Sequence, residues 1–182
     1  MSPAIGHLWH LATRFAGSLS PAAPSEPDEA WARRQLTPGE LEVWAAMTNP
    51  DRRHAIDVAR RTVDSLGERA DRPVVAAALL HDSGKTVSGL GTFARVGATV
   101  IWAVVDDDLA RHWADGAPDT VTGRIQRRLG QYRCHPEIGA RILAEAGSDP
   151  LTVAWTAEHH QAPGRGSLDP VVACALKDAD DD

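Results

Sequence analysis

Histidine and carboxylate side chains are the residues of this sequence best suited to chemistry. Neutral imidazoles and carboxylates hold divalent transition metals for hydrolytic reactions, and the chain has eight histidines. Each of them also has an ordinary interpretation as a buried, boundary or capping residue. The histidines whose settings favour a metal site are His54, His81, His135, His159 and His160.

A His-Asp doublet, His81-Asp82, ends the most apolar segment of the chain and runs into a Ser-Gly-Lys turn. An imidazole and a carboxylate buried side by side are costly unless a metal or hydrogen-bond partners compensate them. The alternative is a doublet that faces solvent at the end of a helix. Taken alone, the doublet favours that alternative.

The other candidate histidines lie on or beside predicted helices. His54 lies at the flank of an apolar helical face, where it is either a ligand or a boundary histidine. His135 directly precedes Pro136 at a predicted helix entry, so it either projects into a cleft or caps the helix. His159 and His160 end another predicted helix, as two adjacent ligands or as interfacial residues.

The elements that must position these residues are predicted to be helices, because a capping residue followed by Pro recurs along the chain. Thr37 with Glu40 also forms a capping box, and Gly67 and Gly147 are predicted helix ends. The helix starts with a following Pro are Thr37-Pro38, Asn49-Pro50, Asp149-Pro150 and Asp169-Pro170.

The apolar residues follow helical spacing and strand-like alternation is scarce, so the predicted fold class is all-α. The segment 73–82, which starts after Asp71, is predicted to be the central and most buried helix. Residues 18–27 are predicted to be a flexible connector. The predicted helices are 4–17, 28–35, 38–47, 51–66, 73–82, 92–114, 119–130, 136–146, 150–160 and 170–180.

Composition excludes several classes of protein. A net charge of −6 over 182 residues gives no basic excess, which argues against a broad nucleic-acid surface. The longest apolar run, 96–105, is well short of the roughly twenty residues that span a bilayer. Two cysteines are too few for a disulfide framework, and we expect a cytoplasmic protein.

Residues 86–130 are predicted to be core plus a solvated turn, with a lid or membrane-touching helix as the alternative.

Taken in order, the histidines, the doublet and an Asp on the last predicted helix make the chain resemble the HD-domain superfamily of metal-dependent phosphohydrolases. The resemblance covers about residues 37–182 and is strongest at HDSGK (81–85) and HPEIGARIL (135–143). HPEIG and EHH (158–160) are similar to the subclass that includes cyclic-dinucleotide phosphodiesterases, although its Gly-Tyr-Pro triplet is absent. The resemblance implies an HD-domain-like helical bundle over 37–182, preceded by a helical extension and linker over 1–36.

The resemblance also implies a dinuclear site in which Asp82 bridges two divalent ions of iron, manganese, cobalt or nickel. The geometry of the last predicted helix does not distinguish Asp178 from Asp180, and the resemblance implies Asp180. The implied ligands are His54, His81, Asp82, His135, His159, His160 and Asp180.

The implied activity is hydrolysis of a nucleotide or another small phosphate ester by a metal-activated water. Asp82 and Lys85 are the implied catalytic residues, and Lys85 would neutralise a substrate phosphate; its alternative is a solvated loop lysine. Arg133 and Arg141 are further candidates for contacting phosphate, and Glu158 is a candidate general acid. Two other functions stay open: a non-catalytic HD module that binds a nucleotide or a protein, and an oxygen-using di-iron enzyme.

Overall fold

The structure is a computed structural model that describes residues 21–91, 94, 98, 107–116, 119–162 and 164–181. Over these residues it is built from helices and contains no strand, which confirms the all-α prediction. One 3-10 turn, Gly67–Arg69, follows the longest helix. The helices are α1 (Glu26–Arg34), α2 (Pro38–Ala46), α3 (Asn49–Leu66), α4 (Arg72–Leu80), α5 (Lys85–Ser88), α6 (Asp107–Gly116), α7 (Val121–Arg133), α8 (His135–Glu145), α9 (Pro150–Glu158) and α10 (Pro170–Asp181).

Most predicted helices are confirmed within a few residues at each end. The predicted helix 92–114 is described in part, where residues 107–116 form α6, and the predicted helix 4–17 lies outside the described residues. The short helix α5 was not predicted. The predicted connector 18–27 is wrong at its end, because Ser25 caps α1 and the helix begins at Glu26.

The capping residues explain where the helices begin. The Thr37 hydroxyl accepts a hydrogen bond from the Glu40 amide, and the Glu40 carboxylate accepts one from the Thr37 amide. Asp71, Asp149 and Asp169 accept amide hydrogen bonds in the same position of α4, α9 and α10.

One predicted cap is wrong by a single residue, because Thr48 and not Asn49 caps α3. The Thr48 hydroxyl accepts from the Asp51 amide at 3.4 Å and donates to the Asp51 carboxylate at 2.7 Å. Thr48 therefore makes two hydrogen bonds to Asp51 in the first turn of α3. Asn49 cannot be the cap, because it already lies inside the helix.

The core lies around α4, as predicted. Every residue from Val74 to Leu80 is at most 3% exposed. The same core contains residues of α1, α2 and α3, which precede α4 in the chain, and of α8, α9 and α10, which follow it. Ala32 of α1 and Trp44 of α2 are fully buried in it.

Two glycines let α8 cross closely over the turn that follows α4. A Cβ atom on Gly84 would overlap the His135 carbonyl oxygen and lie 2.7 Å from the Gly139 amide nitrogen. A Cβ atom on Gly139 would lie 2.9 Å from the Thr156 methyl group. Because real side chains do not approach this closely, both positions require glycine, and this contact brings the start of α8 beside the His-Asp doublet.

Helices α6 and α7 pack against each other where Gly130 meets the backbone of Ala110 and Ala114. The Arg128 guanidinium of α7 donates to the Ser88 carbonyl at 2.8 Å, which ties α7 to α5. On the solvent side of α7, Val121 and Ile125 are exposed. Among the residues that the structure describes, no helix has the length and apolarity needed to cross a membrane.

Candidate metal centre

All eight of the residues predicted for the site lie together in the structure, although they come from six places in the chain. Helix α3 supplies His54, the turn after α4 supplies His81 and Asp82, and α5 supplies Lys85. The first residue of α8 is His135, the end of α9 leads into His159 and His160, and the last turn of α10 supplies Asp180.

The ligand atoms form two groups of three. His54, His81 and Asp180 form one group, and His135, His159 and His160 form the other. Within each group the nitrogen and oxygen atoms that could bind a metal lie within 4.8 Å of one another. In the first group, the Asp180 Oδ1 atom is 3.0 Å from His54 Nε2 and 3.5 Å from His81 Nε2.

The Asp82 carboxylate lies between the two groups and turns one oxygen toward each. Its Oδ1 atom is 3.3 Å from His135 Nε2 and 3.8 Å from His159 Nε2. Its Oδ2 atom is 3.6 Å from His81 Nε2 and accepts a hydrogen bond from the Lys85 ammonium group. A carboxylate in this position can serve both groups at once.

Three of the histidine rings are oriented by a hydrogen bond from Nδ1 to the carbonyl group three residues earlier. A carbonyl oxygen only accepts, so the Nδ1 atom carries a proton and the Nε2 atom is turned toward the centre of the cluster. The bonds run from His81 to Ala78 (2.9 Å), from His135 to Tyr132 (2.8 Å) and from His159 to Thr156 (2.9 Å).

The three Nε2 atoms that result are buried and have no hydrogen-bond partner among the described residues. A buried polar atom left unpaired costs about 1–3 kcal/mol. The three Nε2 atoms lie around the Asp82 carboxylate. Together they form a donor set that fits divalent transition metals. The residues present could therefore hold such ions.

The electrostatics differ between the two groups. Burial alone would lower the pKa of His81, but the carboxylates of Asp82 and Asp180 raise it to about 9. The two carboxylates therefore favour the positively charged form of the His81 ring. Burial lowers the pKa of His135 and His159, and it lowers the pKa of His160 to about 4. The second group is therefore a set of neutral imidazoles at pH 7.

Both carboxylates of the cluster stay ionised, although Asp82 is buried and Asp180 is half-buried. Burial would raise the pKa of Asp82, but Lys85 and His81 hold it well below its usual range. For Asp180, the effect of burial is outweighed by His81 and His54, which lower its pKa strongly. Two ionised carboxylates among nitrogen donors give the charge that divalent cations require.

Lys85 borders the cluster, and two residues that sequence reasoning missed act on it electrostatically. Burial lowers the pKa of Lys85, but Asp82, the Tyr132 side chain and Asp51 together raise it. The Tyr132 ring stacks on the His135 ring at 5.9 Å between centroids. Asp51 precedes His54 by three residues, one turn of α3, so helical periodicity could have found it. Tyr132 lies in the last turn of α7 and His135 begins α8, so no single helical period links them.

The more peripheral candidates do not join the cluster. Arg133 pairs with Asp107 of α6 at 2.6 Å, and Arg141 is exposed on α8. The Glu158 carboxylate accepts a hydrogen bond from the Ser167 amide at 2.7 Å, which holds the loop after α9.

The two aspartates that the last predicted helix left open take different positions. Asp180 lies against His54 and His81, whereas Asp178 is exposed to solvent. The two residues are separated by about 200° around the helix axis, so they face opposite sides of α10.

Comparisons of the chain with protein-family models, with curated proteins and with solved structures found no match.

Proposed function

We propose that this protein is a metal-dependent phosphohydrolase of the HD-domain type that acts on a nucleotide or another small phosphate ester. The observation that carries the proposal is the position of Asp82, with one carboxylate oxygen toward each of two ligand groups. Single metal sites do not need a carboxylate placed in this way, whereas sites with two adjacent metals use one as a bridge.

The residues have a defined division of work in this proposal. His54, His81 and Asp180 would hold one divalent ion, and His135, His159 and His160 would hold the second, with Asp82 shared between them. Nitrogen-rich ligation suits iron, manganese, cobalt or nickel. When bound, a pair of divalent ions supplies an activated water near neutral pH and positive charge for the phosphoryl oxygens.

The protein's own side chains supply orientation and charge. The Nδ1 hydrogen bonds keep the histidine rings from rotating, so their Nε2 atoms are preorganised. Lys85 has 20% of its side chain exposed beside the buried doublet, so its ammonium group can reach both Asp82 and an incoming phosphate. A phosphate that binds there is neutralised by a compact positive charge.

Protein reconstituted with Mn²⁺ should hydrolyse p-nitrophenyl phosphate or bis-p-nitrophenyl phosphate, and the His81→Ala and Asp82→Ala variants should lose that turnover while their circular dichroism stays helical. His112→Ala is the matched control, because His112 is exposed on α6.

Wild-type turnover in both variants would overturn the proposal. Bound metal without turnover of either ester would favour the non-catalytic binding module instead. A product that forms under air and not under nitrogen would favour an oxygen-using enzyme.

A further inference from the structure

The last turn of α10 is held against α3 at two points. At the first, Asp180 Oδ1 lies 3.0 Å from His54 Nε2. At the second, the Arg61 guanidinium donates two hydrogen bonds to the Ala179 carbonyl, from Nε at 3.0 Å and from Nη2 at 2.7 Å. The two carbonyl contacts and the ligand contact therefore involve consecutive residues of α10.

Arg61 lies on the same face of α3 as His54. The two residues are seven positions apart, which is close to two helical turns, and Val58 between them is buried. Two adjacent arginines on a helix, such as Arg60 and Arg61, are typical of a solvated helix face. For Arg61 that interpretation is wrong, because the side chain crosses to α10.

The Ala179 carbonyl belongs to the last turn of α10, where carbonyl groups have no partner within the helix. A guanidinium offers two N–H groups in a fixed fork, and its positive charge is favourable at the C-terminal end of a helix. Fixing this carbonyl fixes the peptide that joins Ala179 to Asp180. The position of the Asp180 carboxylate follows from that.

We propose that Arg61 is a positioning residue for Asp180, and that it thereby sets the metal affinity of the group formed by His54, His81 and Asp180. The inference rests on the proposed function, since it takes Asp180 as a metal ligand. Arg61 touches neither the metal nor the substrate in this account and acts only through the end of α10.

The test compares Mn²⁺ binding to the whole protein in wild type, Arg61→Ala and Arg60→Ala. Arg60 is the matched control, because it is the neighbouring arginine and pairs instead with Asp28 at 2.6 Å and with the Trp31 ring. Arg61→Ala should weaken one of two Mn²⁺ sites about 10- to 100-fold, the range for supporting residues of metal ligands. Arg60→Ala should leave both unchanged, and Arg61→Lys should be intermediate, since an ammonium lacks the planar fork.

A double substitution separates positioning from a general structural effect. In the Asp180→Ala background, Arg61→Ala should cause no further loss of Mn²⁺ affinity, because its only route to the metal has been removed. If Arg61→Ala does not fold by circular dichroism, Arg61→Lys carries the same comparison.

Wild-type Mn²⁺ affinity in the folded Arg61 variants would overturn the inference alone. So would an equal loss at both sites, or a further loss in the Asp180→Ala background. A wild-type protein that binds no Mn²⁺ would overturn the proposed function and the inference with it.

Discussion

Three histidines of the cluster are each oriented by the helix that precedes them in the chain. His81 and His159 come directly after the ends of α4 and α9, and His135 comes two residues after the end of α7. The last carbonyl groups of a helix have no partner within it, and each Nδ1–H group bonds to one of them. The same contact satisfies the helix end and turns Nε2 toward Asp82, so the helix end and the proposed metal site depend on the same residue.

The pKa shifts predict how the stability of the metal-free protein depends on pH. His135, His159 and His160 have pKa values below the usual 6.5, so the unfolded chain binds more protons and stability should fall as the pH drops below about 6.5. His81 has a pKa raised to about 9, so its contribution is present below about 6.5 and is lost as the pH rises toward 9. The free energy of unfolding should therefore be greatest near neutral pH.

Urea unfolding of chelator-treated protein from pH 5 to 9, at constant ionic strength, measures this profile. His160→Gln removes one of the lowered groups and should flatten the acid side while leaving the alkaline side in place. A profile that rises steadily toward pH 5, or an unchanged acid side in His160→Gln, would contradict the assignment of charges in the cluster.

The arrangement of the site depends on how closely α8 can approach the turn after α4. Gly84 and Gly139 make that approach, and His135 reaches Asp82 because of it. The sequence showed the glycine after the doublet, but it could not show which helix would press against it. A close backbone contact has no signature in periodicity or composition.

A substitution tests this contact. Gly84→Ala should lower the free energy of unfolding by about 1–3 kcal/mol, the usual cost of overpacking, and should also reduce bound metal, because the methyl group would push the His135 backbone away from Asp82. Gly91→Ala is the control, since a Cβ there meets nothing within 4 Å. Urea unfolding and metal content are measured on both variants. Equal changes in Gly84→Ala and Gly91→Ala would contradict this role of Gly84.

Helix starts and the central helix were predictable from the sequence because they depend on local signals. Thr37 with Glu40, and Asp71 before the apolar run, are contacts within one turn. The four-residue helix α5 was missed because it is too short to show a period. Thr48 was missed because Asn49, which lies beside it and before Pro50, fits the same cap pattern.

The long-range contacts of the site were predictable only as far as a family resemblance carried them. The ligand set implied by that resemblance lies together in the structure, yet nothing in the spacing of His54 and Asp180, 126 residues apart, requires their contact. The contact of Arg61 could not be predicted for the same reason, since its carbonyl partner is 118 residues away.

At the scale of the whole molecule, the cluster joins the two ends of the described fold. His54 comes from α3 near the start, Asp180 comes from the last helix, and Asp82 lies between them on the most buried element. The first described helix also belongs to this body, because Glu29 accepts a hydrogen bond from the Trp44 indole and pairs with Arg52 of α3. A metal bound at the cluster would therefore tie together helices from both halves of the core.

Elemental analysis of protein purified without chelators tests whether Asp82 bridges two metal ions. Wild type should hold about two transition-metal ions per chain, and so should Asp178→Ala, whose carboxylate is exposed on the other side of α10. Asp82→Ala should lose most of this metal while remaining folded. A wild-type protein that holds no metal even after reconstitution with Mn²⁺ or Fe²⁺, or an Asp82→Ala variant that keeps both ions, would contradict the claim.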